Sequence, residues 1–220
     1  MLRRSRATDE RLARVWWLGV VLALASVAGC RGEDWSLGEG EVVSGGAPSI
    51  ERDPFGKPVW LKELTSDANQ DDASLTSDQL EIFFSSTRDG GIGREDVWMA
   101  RRESVDDAFE DPELVEVVSS KERETATAVS ADGLTLWFAS SRDGALGGLD
   151  IWSASRASRK DAFDDVRHHP ELSTEFDDLP RAPSADGEFL PIAVRSDDES
   201  YDLFLAERSD DGEFGAVEAE

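Results

Sequence analysis

Ser130–Arg156, SADGLTLWFASSRDGALGGLDIWSASR, reads as a β-hairpin with a turn on each side. Ala131-Asp132-Gly133 is a tight turn, because glycine tolerates positive φ and aspartate hydrogen-bonds its own backbone. Leu134, Leu136 and Phe138 alternate with Thr135, Trp137 and Ala139, the period of two that marks a strand. Arg142-Asp143-Gly144 through Gly147-Gly148 is too glycine-rich for helix or strand and reads as a loop. Asp150-Ile151-Trp152 opens a second strand that ends near Arg156.

The same stretch recurs on both sides. At 54 residues earlier, Asp132 becomes Asp78, Phe138 becomes Phe84, and Asp150-Ile151-Trp152 becomes Asp96-Val97-Trp98. At 54 residues later stands Asp186-Gly187; two residues are then lost, and Asp202-Leu203-Phe204 takes the place of Asp150-Ile151-Trp152. Ala100, Ala154 and Ala206 correspond, as do Arg102, Arg156 and Arg208. A fixed period of this size marks a solenoid, a propeller or an array, each repeat being one supersecondary unit.

SADG, an apolar strand, SSRDG and then DIW resembles the WD40-like propeller repeat of the Tol-system periplasmic propeller (TolB type) and of many bacterial envelope proteins. The resemblance covers roughly residues 55–215. It implies a fold and says little of function, since propellers host many unrelated activities.

Phe55, Phe109 and Phe163 share the period, and each opens an extended run: Val59 to Leu64, Leu114 to Val118, and His168 to Leu172. Each run closes on a hydroxyl, Thr65, Ser119 or Ser173, and is expected as the outer strand of a blade. Phe214 begins a shorter copy. Short strands are expected near Ala73–Thr76, Thr127–Ser130 and Arg181–Ser184. Four strands in about 54 residues make a propeller blade. The predicted fold is therefore all-β, a propeller-like array of three four-stranded blades, with ring closure left open; a β-sandwich is the alternative. The third copy departs most. Pro191 stands mid-strand where Trp137 and Phe83 stand and should force a bulge or an edge, and Ser196-Asp197-Asp198 replaces the Arg-Asp-Gly turn. Open sheet edges invite pairing, so association between copies through blade edges is expected as a possibility.

The front of the chain has a different character. Arg3, Arg4, Arg6, Arg11 and Arg14 precede an apolar run from Val15 to Ala25, eleven residues, too short for a comfortable membrane span. Val27-Ala28-Gly29-Cys30 comes next and resembles a bacterial lipobox, which implies cleavage before Cys30 and lipidation of its sulfur. Residues 1–29 then read as a lipoprotein signal peptide, residues 30–54 as the lipidated cysteine and a Gly-, Ser- and Glu-rich tether, and residues 55–220 as the propeller module. A tether of this size reaches roughly 25 Å root-mean-square. Arg31, in place of aspartate, points in family terms to the outer membrane, with the domain facing the periplasm.

Cleavage takes the basic residues from 23 to 18 and the acidic ones from 48 to 46, a net charge of −28. Such a chain is repelled by nucleic-acid phosphates, and nucleic-acid binding is rejected. With its single cysteine lipidated, the domain has no disulfide and depends on its core.

Asp96, Asp150 and Asp202, and likewise Asp78, Asp132 and Asp186, occupy one position in every blade. A catalytic residue has no need to recur; a residue that fixes a turn does. These aspartates are expected to hold loops by accepting backbone amides, with Ca²⁺ coordination between pairs such as Asp89 and Asp96 as the competing reading. Arg88 and Arg142 are expected to pair with carboxylates, His168-His169 to lie on a solvated strand, and Trp98, Trp152 and Phe204 to anchor the core. No nucleophile elbow or cofactor motif is present in the sequence. The reading is a lipid-anchored envelope binding or scaffold protein with a protein partner. The alternative is an envelope glycan hydrolase or lyase on the same scaffold. Cys30→Ser should leave the chain unprocessed and abolish incorporation of radiolabelled fatty acid; label still entering the variant would overturn the anchor.

Overall fold

The computed structural model describes residues 56–195, 200–210 and 212–217. The expected signal peptide, Cys30, the tether and the Ser196-Asp197-Asp198 turn lie outside them. Among the described residues no helix is long and apolar enough to cross a membrane.

The described chain forms three antiparallel sheets, each with its strands in sequence order. Blade 1 is β1 (Gln70–Leu75), β2 (Glu81–Ser86), β3 (Asp96–Arg101) and β4 (Glu113–Leu114). Blade 2 is β5 (Glu124–Val129), β6 (Thr135–Ser140), β7 (Asp150–Ser155) and β8 (Asp164–His168). Blade 3 is β9 (Asp178–Pro180), β10 (Phe189–Arg195) and β11 (Tyr201–Glu207). The fold is all-β and propeller-like, as the repeat predicts. Register repeats with it: Phe84 faces Trp98, Phe138 faces Trp152, and Ile192 faces Phe204.

Every hairpin is fixed by the same three contacts. Thr76, Ser130 and Ser184 donate their hydroxyls to Asp78, Asp132 and Asp186 at 2.7, 2.6 and 2.5 Å. The same carboxylates accept the amides of Leu80, Leu134 and Glu188. Across each turn, Arg102, Arg156 and Arg208 donate to the carbonyls of Gln79, Gly133 and Gly187 at 2.9, 2.8 and 3.0 Å. Each guanidinium also lies over a ring, of Phe109, Phe163 or Phe214. Charge-assisted donation and cation–π contact thus close one end of each blade.

The outer strands differ from expectation. The runs Val59–Leu64, Leu114–Val118 and His168–Leu172 are mostly not strand: Lys62–Leu64 and Pro170–Leu172 are 3₁₀ turns, and Val118 donates its amide to Val115. The outer strands are only Glu113–Leu114 and Asp164–His168, and no strand forms over residues 56–61. The hydroxyls of Thr65, Ser119 and Ser173 explain the turns. They donate to carbonyls four residues back, on Leu61, Val115 and His169, and so offer the backbone an alternative to a ladder. Leu64, Val118 and Leu172 are thereby turned into the core.

The inner strands begin earlier than expected, because bulges hide their period. Asp72 and Ala126 adopt positive φ of 51° and 52°, and the register shifts at both places. Pro191 makes neither a bulge nor an edge. β10 pairs with β11 without a shift from Phe189 to Arg195. The missing N–H faces β9, and β9 ends at Pro180 where that donor would be needed, leaving three residues where β1 and β5 have six.

Phe83, Val97, Val118, Leu136 and Phe138 form the core between blades 1 and 2. Trp137, Ile151, Leu172, Leu190 and Ile192 form the one between blades 2 and 3. A polar group opens each inner strand, half-buried at Gln70 and buried at Glu124 and Asp178. The Gln70 side chain bonds Ser66, Glu124 accepts the amide and hydroxyl of Ser120, and Asp178 those of Thr174.

Gln79 has φ +62° at the position where Gly133 has +76° and Gly187 +74°. Gln79→Gly should raise stability by about 0.5–1 kcal/mol, the left-handed strain exceeding glycine's entropic cost. Gly133→Ala should lower it, since its Cβ would stand 2.9 Å from Thr76 Cγ2. Thermal melts decide, and a lower melting temperature for Gln79→Gly refutes the assignment. For Asp178, burial pushes the carboxyl up to about 6, with Asp150 and Asp177 adding in the same direction against the bonds from Thr174. The folded state then holds this proton more tightly than the unfolded one. The stability it contributes is full below about pH 4 and lost as pH rises through 6. Relative to Asp178→Asn, the wild type should lose about 2–3 kcal/mol between pH 4 and 7.5 in urea titrations. Parallel profiles would refute it.

Candidate binding cleft

The loop aspartates are placed by the strands they open. Asp96, at the start of β3, accepts the amides of Ile92 at 3.0 Å and Gly93 at 3.1 Å. Asp150, at the start of β7, accepts those of Leu146 at 2.7 Å and Gly147 at 3.1 Å. Burial raises the Asp96 carboxyl, and the loop amides pull it back. Asp202 holds the equivalent register, opposite Val194, but is exposed. Among the described residues no three His, Cys, Asp or Glu side chains gather as a metal site.

Arg142 is paired with Glu124 at 3.3 Å, and it also donates to the Val118 carbonyl and lies over Phe138 and Trp152. Arg88 departs from the expected carboxylate pairing: it donates to the Leu64 carbonyl and to Ser86, because Gln70 stands where blade 2 has Glu124. Trp98 is buried, whereas Trp152 and Phe204 are only half-buried. The histidines are not solvated as expected. His168 stacks on Trp152 at 4.5 Å and bonds Asp150 at 2.7 Å. His169 is buried against Trp137 and bonds Ser153 and Glu171. Burial holds its imidazole below the usual histidine range despite Glu171. Their opposite directions come from strand alternation; their partners are distant in sequence and give no signal there.

Glu81 is also invisible in the repeat, since Thr135 and Phe189 stand at its equivalents. It is buried and receives Arg101 at 2.9 Å, Arg156 at 2.5 Å and Arg159 at 2.9 Å. Blade 2 is thereby fastened to blade 1 by charge as well as by apolar contact.

Below this cluster, a cleft of about 630 Å³ opens between the outer rims of blades 1 and 2. Met99, Leu114, Val115 and Phe163 give it an apolar lining, and Arg101, Arg156, Lys160, Glu113, Glu116 and Asp161 give it charges of both signs. The repeat shows what is special here. Glu113 corresponds to Arg167, and Ala162, just before Phe163, to Glu213, just before Phe214; Arg167 and Glu213 form an ion pair at 2.9 Å across the junction of blades 2 and 3. Opposite charges bridge that junction, while here a carboxylate stands in place of the arginine and an alanine in place of its partner.

No protein-family model matches the chain, and no curated protein matches it. Among solved structures, it is similar to TolB from Acinetobacter baumannii at 16% identity and TM-score 0.49, over 70% of this chain and 33% of that one. A putative TolB from Agrobacterium tumefaciens is 15% identical with TM-score 0.45, over 69% and 49%. An alpha-L-arabinofuranosidase from Lactobacillus brevis is 15% identical with TM-score 0.48, over 69% and 57%. The chain thus spans between a third and somewhat over half of the length of these structures.

Proposed function

We propose that this chain is a lipid-anchored binding or scaffold protein of the cell envelope, and that the cleft between blades 1 and 2 takes a protein partner. The observation that carries the reading is the departure at Glu113, which stands where Arg167 pairs with Glu213 at the next junction. Residues common to all repeats hold turns and loops; Glu113 does not. The cleft has the size of a ligand site and an apolar lining with a few polar groups. A basic side chain of the partner, brought beside Glu113, supplies the cation that Arg167 supplies at the next junction. The partner is therefore an extended segment carrying Arg or Lys next to apolar residues. The anchor at Cys30 and the outer-membrane location belong to this reading and rest on the sequence alone.

Glu113→Arg reverses the charge at the cleft and gives that position the side chain found at the next junction. Crosslinking in intact envelopes, then capture of the wild-type chain, should recover the partner. The variant should recover at least tenfold less, with a melting temperature no lower than wild type. Undiminished recovery, or glycan cleavage by the purified chain with no protein partner, would overturn the reading in favour of the enzyme.

A further inference from the structure

We propose that two copies of this chain associate head to tail, each closing the open face of the other's blade 3 with its own blade 1. In this pairing Val59-Trp60 becomes the fourth strand of the partner's blade 3. The contact is separate from the cleft and needs none of its residues.

The order of parts within the chain points to it. Each outer strand leads into a turn and then into the inner strand of the next blade. Glu113–Leu114 leads through Val115–Ser119 to β5, and Asp164–His168 leads through His169–Ser173 to β9. The stretch Leu61–Thr65 is another copy of that turn, with its hydroxyl bond from Thr65 to the Leu61 carbonyl. Arg88 donates to the Leu64 carbonyl as Arg142 does to that of Val118. Val59 and Trp60 therefore hold outer-strand positions for a blade that precedes blade 1. Among the described residues no such blade exists, and the two side chains are 82% and 67% exposed.

Blade 3 shows the complementary gap. β11 pairs with β10 alone among the described residues. The described residues beyond it do not fill the other edge. Phe214 bridges back to Arg208, and Val217 donates its amide to the Glu171 carbonyl beside blade 2. Leu203 and Leu205 are left 80% and 62% exposed, where the equivalent Ile151 and Ser153 are 0% and 9%. At the other end, Leu75 is 46% exposed where the equivalent Val129 is 3%. Among the described residues, one open face lacks a succeeding blade, and the other lacks a preceding one.

The registers within the chain fix the contact. Met99 faces Glu113 and Trp98 faces Leu114; Ser153 faces Arg167 and Trp152 faces His168. Carried one blade further, Leu205 faces the partner's Val59 and Phe204 faces the partner's Trp60. Apolar residues meet apolar ones, and Arg181, exposed just past β9, lies toward the partner's exposed Asp71. Closed propellers have about four to eight blades, and a ring of two copies, each with the three blades described, has six. A head-to-tail contact that closes makes a ring, here of two members.

The test uses the full chain in detergent with Trp60→Cys and Phe204→Cys together. Facing residues on antiparallel strands lie about 4.5–5.5 Å apart, within reach of a disulfide. Mild copper oxidation should convert more than half of the protein to a reducible band of twice the chain mass. The out-of-register pair Val59→Cys with Phe204→Cys should give at least tenfold less, and wild type, with Cys30 alone, none. A disulfide within one chain, a crosslink to a different protein, or no crosslink in a folded variant would overturn the proposal. Light scattering on the unaltered chain gives an independent reading, because a protein mass of two chains is required and a mass of one refutes it.

Discussion

The architecture depends on a carboxylate that turns a glycine loop inward. At Asp96 and Asp150 both oxygens are occupied by amides of the preceding loop. The loop so gathered reaches the next blade through its backbone. Arg94 donates its amide to Glu122 and Gly148 to Phe176, and parallel bridges join Glu95 to Arg123 and Leu149 to Asp177. A Cβ on Gly93 or Gly147 would stand 2.3 or 2.4 Å from a carbonyl oxygen of that neighbour. Carboxylate, glycine and close approach are therefore one device. The aspartate shapes the loop, and the missing side chain lets two blades lie together.

Buried charge adds direction to this contact. Apolar burial alone would tolerate blade 2 sliding on blade 1. The pairing of buried Glu81 with Arg101, Arg156 and Arg159 does not, since displacing a partner leaves a buried charge uncompensated. Such pairs add little net stability against an apolar equivalent, and their clearest use is to fix an arrangement. Blade 3 lacks an equivalent, because Thr135 stands in blade 2 where Glu81 stands in blade 1. Its contact with blade 2 rests on Trp137, His169 and Phe214 packing ring against ring.

The legible and the hidden parts of this fold divide along one line. The Asp-Gly turns, the hairpins that carry Phe84 and Phe138, and the blade count are legible in the sequence, because each is a local pattern repeated at a fixed spacing. The connector turns read as strands, because Leu61, Val115 and their neighbours alternate like a strand while the deciding hydroxyl lies four residues on. The inner strands read as starting late, because a residue at positive φ breaks their period. His168, Glu81 and Glu124 carry no local pattern. Their partners lie in other strands or other blades, and only the fold brings them together.

That division also tells where function is to be sought. A position filled alike in every blade answers a need that every blade shares, and such needs are structural. The aspartates at 78, 132 and 186 and the arginines at 102, 156 and 208 are of this kind. A departure from the repeat that leaves the blade intact answers some other need. Glu113 is such a departure: the same backbone position holds the arginine of a bridging ion pair one junction later, and the partner position there, Glu213, is Ala162 here. Giving up that bridge has no benefit for packing. It leaves a cleft with a carboxylate at its wall, and this is the feature on which the proposed partner's cation would act.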